Sequence, residues 1–201
     1  MGAASITYIT TCKGRLEHLR QSLPRVAAQP QVQVIVVDYD CPDGSGQWVK
    51  DNFPQVRVVR IDDDPGFLLT RARNAGGQAA ATPWLAFFDA DILLADDFFR
   101  TASENLVSGH YYRADPPSIQ TWGSVVCERD IFLKSEGMTR CSGDGAGKTT
   151  ISTACLSLRG VGVGLWTDVA SPRSIMATTR ARGFRPMQSW RRTSATRSID
   201  R

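Results

Sequence analysis

Two carboxylates spaced two residues apart, Asp89 and Asp91, follow the apolar run Trp84–Phe88 (WLAFF). An apolar strand that delivers paired acids at its carboxyl end makes a place for a divalent cation. Hard cations of this kind take oxygen ligands and commonly share them with phosphate groups. In extended chain, residues two apart share a face, so both acids are expected to point toward one ion or ligand. Acids after a strand also serve as caps for the next helix, so the pair acquires meaning only from what surrounds it.

The surroundings repeat the pattern. Ser5–Thr10 (SITYIT) and Gln33–Tyr39 (QVIVVDY) are β-rich, and the second is nearly continuous in apolar residues, as expected of a strand buried on both faces. Val56–Ile61 (VRVVRI) is a third strand. Leu16, Leu19, Leu23 and Val26 recur at helical spacing, with an interruption expected at Pro24. Trp48 and Val49 open a short helix that ends before Pro54, after the turn chemistry of Cys41–Gly46. Phe67–Ala81 reads as a helix with small residues for close packing, and a further helix runs from Asp96 to Val107. Strands alternating with helices predict an α/β, doubly wound, mostly parallel sheet. Ligands of such sheets sit at the carboxyl ends of the strands. Asp38 and Asp40, Asp62 to Asp64, and Asp89 and Asp91 all fall at those ends.

The chain has 201 residues, enough for one domain with a substantial core. No run is long and apolar enough to span a bilayer. Residues 1–5 lack the basic and apolar parts of a secretory signal. The expected location is therefore the cytoplasm, peripheral to a membrane at most. Cysteines at 12, 41, 127, 141 and 155 are odd in number and lack C-x-x-C pairs, so they read as reduced thiols rather than a disulfide framework or zinc site. With His18 and His110 the only histidines, a histidine-rich metal cluster is not expected. The net charge of +4 hides a split: residues 1–137 carry 13 basic and 17 acidic side chains, and residues 138–201 carry 11 and 3.

Taken together, Thr10-Thr11-Cys-Lys-Gly-Arg15, the strand ending in Asp38, the Arg71-Ala-Arg73-Asn74 helix and Asp89-Ala-Asp91 resemble the nucleotide-sugar glycosyltransferases of GT-A (Rossmann-like) fold. The resemblance is to the family 2-like group that includes galactosyltransferase-type domains, and it covers about residues 5–137. It implies transfer of a sugar from a nucleotide-diphosphate donor, a UDP-sugar foremost, to a hydroxyl on a glycan or other acceptor, with inversion. Thr10, Thr11 and Arg15 would line the nucleotide pocket, in the loop after the first strand, and Asp38 would accept from the base or ribose. Arg73 and Asn74 would face the sugar-diphosphate, the guanidinium being suited to two-pronged phosphate contact. Asp89 would contact the ribose or sugar, and Asp91 would coordinate Mn2+ or Mg2+. Asp64 reads as an acid of a solvated loop that can also approach the base. Ile119–Cys127 is expected to be a strand or turn in which Trp122 and Gly123 meet the acceptor, Trp122 being equally readable as a core residue. Glu128–Ser135 begins a helix.

After Gly137 the resemblance stops. Members of this group carry their general base in an acidic segment, W-G-x-G-G-E-D-D-D-L, soon after such a helix. Residues 138–155 (MTRCSGDGAGKTTISTAC) hold Asp144 as their only carboxylate. Regrouping the codons by one base recovers the missing segment. Met138 followed by Thr139 forces GAC, aspartate, and permitted codons around it spell G-Y-D-E-V-F-R-G-W-G-G-E-D-D-D-L-Y. The same frame permits H-G-D-D-x-R-T-R-F near Ile175–Phe184, its glycine forced by Met176 and Ala177. Residues 138–201 are therefore expected to be an out-of-frame tail, non-native or disordered, behind an incomplete donor-binding domain at 1–137. Its Ser142–Thr149 (SGDGAGKT) imitates a phosphate-binding loop but lacks the first glycine and a preceding strand. Its arginines lack interleaved aromatics, so nucleic acid is not an expected partner.

Overall fold

A computed structural model describes residues 5–62, 64–114, 123–138, 162–166 and 169–170. In chain order the elements are β1 (Ile6–Cys12), α1 (Leu16–Ala27), β2 (Val32–Tyr39), α2 (Ser45–Asn52), β3 (Arg57–Ile61), α3 (Leu69–Ala79) and β4 (Trp84–Phe87). They continue with β5 (Leu93–Leu94), α4 (Phe98–Asn105), β6 (His110–Ala114), β7 (Val125–Glu128), α5 (Arg129–Lys134), β8 (Gly162–Trp166) and β9 (Val169–Ala170). The main sheet has the order β3-β2-β1-β4-β7-β6-β8. Its first four strands are parallel, β7 runs antiparallel to β4, and β6 antiparallel to β7.

Every residue of β1 is buried, as is β2 from Val34 to Tyr39. Such strands need cover on both faces. One face receives Leu19, Leu23 and Val26 of α1, Val49 of α2, and Phe98, Phe99 and Ala102 of α4. The other receives Ala72 of α3 and Phe132 of α5. This is the α/β, mostly parallel arrangement expected. Gly76 and Gly77 let α3 lie close: a Cβ on Gly76 would overlap Ile9, and one on Gly77 would overlap Phe132. That approach fixes the height at which α3 carries Arg73 over the sheet edge.

Several boundaries differ from the sequence expectation. Helix α1 runs through Pro24 without interruption. Proline inside a helix costs about 3 kcal/mol. Leu23 and Val26 on either side are fully buried, and burying each is worth about 1.5–3 kcal/mol, which outweighs that cost. Helix α2 begins at Ser45, three residues ahead of Trp48, and Gly46 brings it against Asp38. Strand β6 was not foreseen. Two segments of the tail expected to be non-native or disordered form strands: β8 pairs parallel to β6, and β9 pairs antiparallel to β5. Among the described residues, no helix is long and apolar enough to cross a membrane.

Candidate active site at the carboxyl edge of the sheet

Strands β1, β2 and β4 are adjacent and parallel, so their carboxyl ends share one rim. Cys12 lies level with Asp38, and Asp38 with Arg60. Strand β1 extends two residues past the expected Thr10, because its ladder with β2 continues to Cys12. Thr10 and Thr11 are therefore buried strand residues, not loop residues lining an open pocket.

Asp38 is 1% exposed and has both oxygens engaged. One accepts from the Cys41 backbone N–H (2.9 Å) and the Ser45 hydroxyl (3.4 Å). The other accepts from Arg60 (2.8 Å). Arg60 also reaches Asp40 (2.9 Å) and Asp62 (2.5 Å), gathering three carboxylates onto one guanidinium. Arg60 escaped the sequence reading; its signal was an arginine at the end of a strand level with an acid at the end of the next.

A second cluster lies beside it. The Tyr39 hydroxyl donates to Asp64, Arg71 donates to the same carboxylate at 2.7 Å, and the Gly66 N–H donates to its other oxygen at 3.1 Å. The Tyr39 hydrogen bond leads, with Arg71 and Gly66 adding, and together they outweigh burial to hold the Asp64 carboxyl below the usual range. Burial and the bond to Asp64 push the Tyr39 phenol up. The expectation of Asp64 as a solvated loop acid is thus corrected: three donors hold it in place. Lys13 stands over the Tyr39 ring at 5.3 Å and donates to the carbonyls of Asp64 and Gly66. Phe67, 45% exposed, packs edge-on against the same ring. Asp63 lies outside the described residues.

The paired acids part company. Strand β4 ends at Phe87, and Asp89 and Asp91 sit in the turn beyond it, where strand alternation no longer governs their direction. Asp91 pairs with Arg15 at 2.9 Å, with side chains 35% and 55% exposed. Asp89 pairs with Arg73 at 2.6 Å, and Arg73 is 1% exposed. Arg73 also donates to the Gly123 carbonyl at 2.7 Å. The guanidinium expected to face a diphosphate is instead a buried strut between Asp89 and Gly123. Asn74 is engaged elsewhere than Arg73. One residue further along α3 is about 100° further round the helix, and there its amide brackets Met138, accepting from the backbone N–H at 2.7 Å and donating to the carbonyl at 3.1 Å. Gly123 lies against Arg73 and Asp89, while Trp122 falls outside the described residues. Beside Gly123, the buried Ser124 hydroxyl has no partner among the described residues.

Among the described residues, no group of three or more His, Cys, Asp and Glu side chains converges as a metal cage. A magnesium-type ion does not require one, since it is commonly held by one or two carboxylates with phosphate oxygens and water completing the shell. Asp91, half-exposed at the rim with one oxygen engaged by Arg15, fits that kind of ligand.

The fold is that of the GT-A glycosyltransferases. A mannosyltransferase from Pyrobaculum calidifontis, solved with GDP-Man and Mn2+, superposes with a TM-score of 0.63 at 15% identity over 83% of this chain and 55% of that one. S. aureus TarS superposes with a TM-score of 0.66 at 12% identity over 83% of this chain and 36% of that one. A shorter form of TarS, solved with UDP-GlcNAc, gives 0.56 at 12% over 66% and 47%. At these identities the likeness is one of fold, and the chain spans about half the length of these proteins or less. No curated protein sequence matches the chain. The Glycosyl transferase family 2 model matches residues 7–113, over half of the chain, and the chain belongs to that family.

Proposed function

We propose that residues 1–137 form the donor-binding part of an inverting, galactosyltransferase-type enzyme that moves a sugar from a nucleoside diphosphate to an acceptor hydroxyl. UDP-sugars are the favoured donors, and a glycan or other hydroxyl compound is the acceptor. The observation that carries this reading is the pair of arginine–carboxylate contacts at one sheet rim, Arg15–Asp91 and Arg73–Asp89, inside the segment that matches the family.

The two pairs differ in what it takes to open them. Arg15–Asp91 is exposed, and such pairs are worth about 0–1 kcal/mol. It parts readily, freeing Asp91 to hold Mn2+ or Mg2+ and Arg15 to take the diphosphate oxygens. A divalent ion held there supplies Lewis-acid neutralisation of charge on the departing diphosphate. Arg73–Asp89 has a buried arginine with two acceptors, so it stays closed and aims the free oxygen of Asp89 at a ribose or sugar hydroxyl. Asp38, with both oxygens taken, acts through Arg60 and the 41–45 turn and shapes the rim. Phe67, Lys13 and Arg71, gathered on the buried Tyr39 ring, present aromatic surface and charge on the base side. The free thiols of Cys12, Cys41 and Cys127 support action in the cytoplasm.

The missing base follows from the reading frame: we attribute the loss of the acidic segment to a one-base deletion near the codon for Gly137. Asn74 still grips Met138 there, at the point where that segment would begin. A chain with the frame restored is expected to turn over a UDP-sugar in the presence of Mn2+, and the present chain to bind without turnover. The single carboxylate in 138–155 also favours a second reading, a nucleotide-sugar-binding remnant. That reading gains if the restored chain binds UDP yet transfers nothing; if neither chain binds or turns over a nucleotide-sugar, the transferase assignment fails. DNA across Gly137 with an intact frame refutes the deletion.

A further inference from the structure

Cys12 closes β1, and Cys41 opens the turn after β2. Their sulfurs stand 4.0 Å apart. Both side chains are buried, Cys12 completely and Cys41 to 6% exposure. The Gly14 N–H donates to the Cys41 sulfur at 3.2 Å, a contact that stabilises a thiolate. Neither thiol has a part in the donor chemistry described above. We propose that Cys12 and Cys41 are a peroxide-sensitive modification site that closes into a reversible disulfide, tying the end of β1 to the turn before α2.

A disulfide holds its sulfurs about 2.05 Å apart, so closure needs an approach of about 2 Å. The turn that carries Cys41 is irregular, and its neighbour Asp40 has φ of 43°, in the left-handed region. Side-chain rotation together with a small shift of this turn covers the distance. Burial would raise the Cys41 thiol, but hydrogen bonds from the Ser45 side chain and from the Gly14, Asp43 and Ser45 backbone outweigh it and bring it below the ordinary thiol value. Burial pushes Cys12 up to about 12 despite the Ser45 hydrogen bond. Cys41 is therefore the attacking thiol and Cys12 the resolving one.

The Cys41 sulfur attacks one oxygen of hydrogen peroxide. The O–O bond breaks, the departing hydroxide takes up the thiol proton as water, and Cys41 becomes a sulfenic acid. The Cys12 sulfur then attacks the Cys41 sulfur, the S–O bond breaks, and the hydroxide leaves as a second water with the Cys12 proton. Two thiols lose two electrons and one peroxide becomes two waters. A small dithiol reverses the bond by exchange. Peroxide is small enough to enter beside a residue exposed to this slight degree. Cys127, buried on β7 with its thiol pushed up to about 12, serves as an internal control.

The test is peroxide treatment of the reduced full chain, alkylation of the remaining thiols, digestion and mass spectrometry. The expected product is a Cys12–Cys41 peptide pair, lighter by two hydrogens than its parts and released by dithiothreitol, with Cys127 still free. In Cys12→Ser, or in Cys12→Ala should the first variant not fold, dimedone should label Cys41 after peroxide. Free, alkylated Cys12 and Cys41 under conditions that oxidise Cys141 or Cys155 overturn the proposal. So do bridges from Cys12 or Cys41 to any other cysteine, or an unlabelled Cys41 in both variants. The readout is the bond itself, so it stands whether or not the donor reading does.

Discussion

Arg73→Met removes the strut that joins Asp89 to the Gly123 turn. The half-buried Gly123 carbonyl loses its donor, a loss that costs about 1–3 kcal/mol for a fully buried group and falls at the low end of that range here. Asp89 loses its counter-charge. Removing one partner of a fully buried pair costs about 3–5 kcal/mol, but Asp89 is 37% exposed and rehydrates, so that range is an upper limit. The expected loss is about 2–4 kcal/mol, or roughly 5–15 °C in Tm for a chain of this size. A double-mutant cycle with Asp89→Asn, followed by urea denaturation, isolates the pair. We expect a coupling of about 1–2 kcal/mol for Arg73–Asp89. The same cycle on the exposed Arg15–Asp91 pair should give less than about 1 kcal/mol. Equal couplings, or less than about 0.5 kcal/mol at Arg73–Asp89, would refute the division into a fixed strut and an opening latch.

The Asp64 carboxyl is held below its usual range chiefly by Tyr39, so its contribution is complete above the ordinary carboxylate value and fades as pH falls toward the folded one. Thermal melts across the acid range should show the advantage of the wild type over Asp64→Asn shrinking with acidification; a constant difference would count against the three-donor clamp. Pro24 is exposed inside α1 and denies the Arg20 carbonyl its helical donor, so Pro24→Ala should stabilise the chain by about 1–2 kcal/mol, read by urea denaturation; destabilisation would mean that the helix is not continuous there. Leu23→Ala, at a fully buried position, should cost about 2–5 kcal/mol in the same assay, and a loss below about 1 kcal/mol would place α1 off the sheet.

How much of this was legible in the sequence depended on the range of the interaction. The buried strands β1, β2 and β4 and the acids at their ends show in linear pattern, because continuous apolar runs and acid positions are local properties. Helix α1 crossed Pro24 because burial of Leu23 and Val26 overrode a local preference, and no local pattern contains that comparison. Strand β6, with two tyrosines between His110 and Arg113, is too short to declare itself before β7 pairs with it. The partners of the acids were hidden for the same reason. Arg60 meets Asp38 through strand register, whereas Arg73 and Asn74 are neighbours in sequence that α3 turns toward different parts of the molecule.

The central claim is a rim where a carboxylate shares a cation with a diphosphate, and calorimetric titration of the full chain with UDP tests it directly. Binding should require Mn2+ and weaken about ten-fold or more in Asp91→Asn, about 1.4 kcal/mol or more. UDP binding of equal strength without Mn2+, or indifferent to Asp91→Asn, would contradict the account.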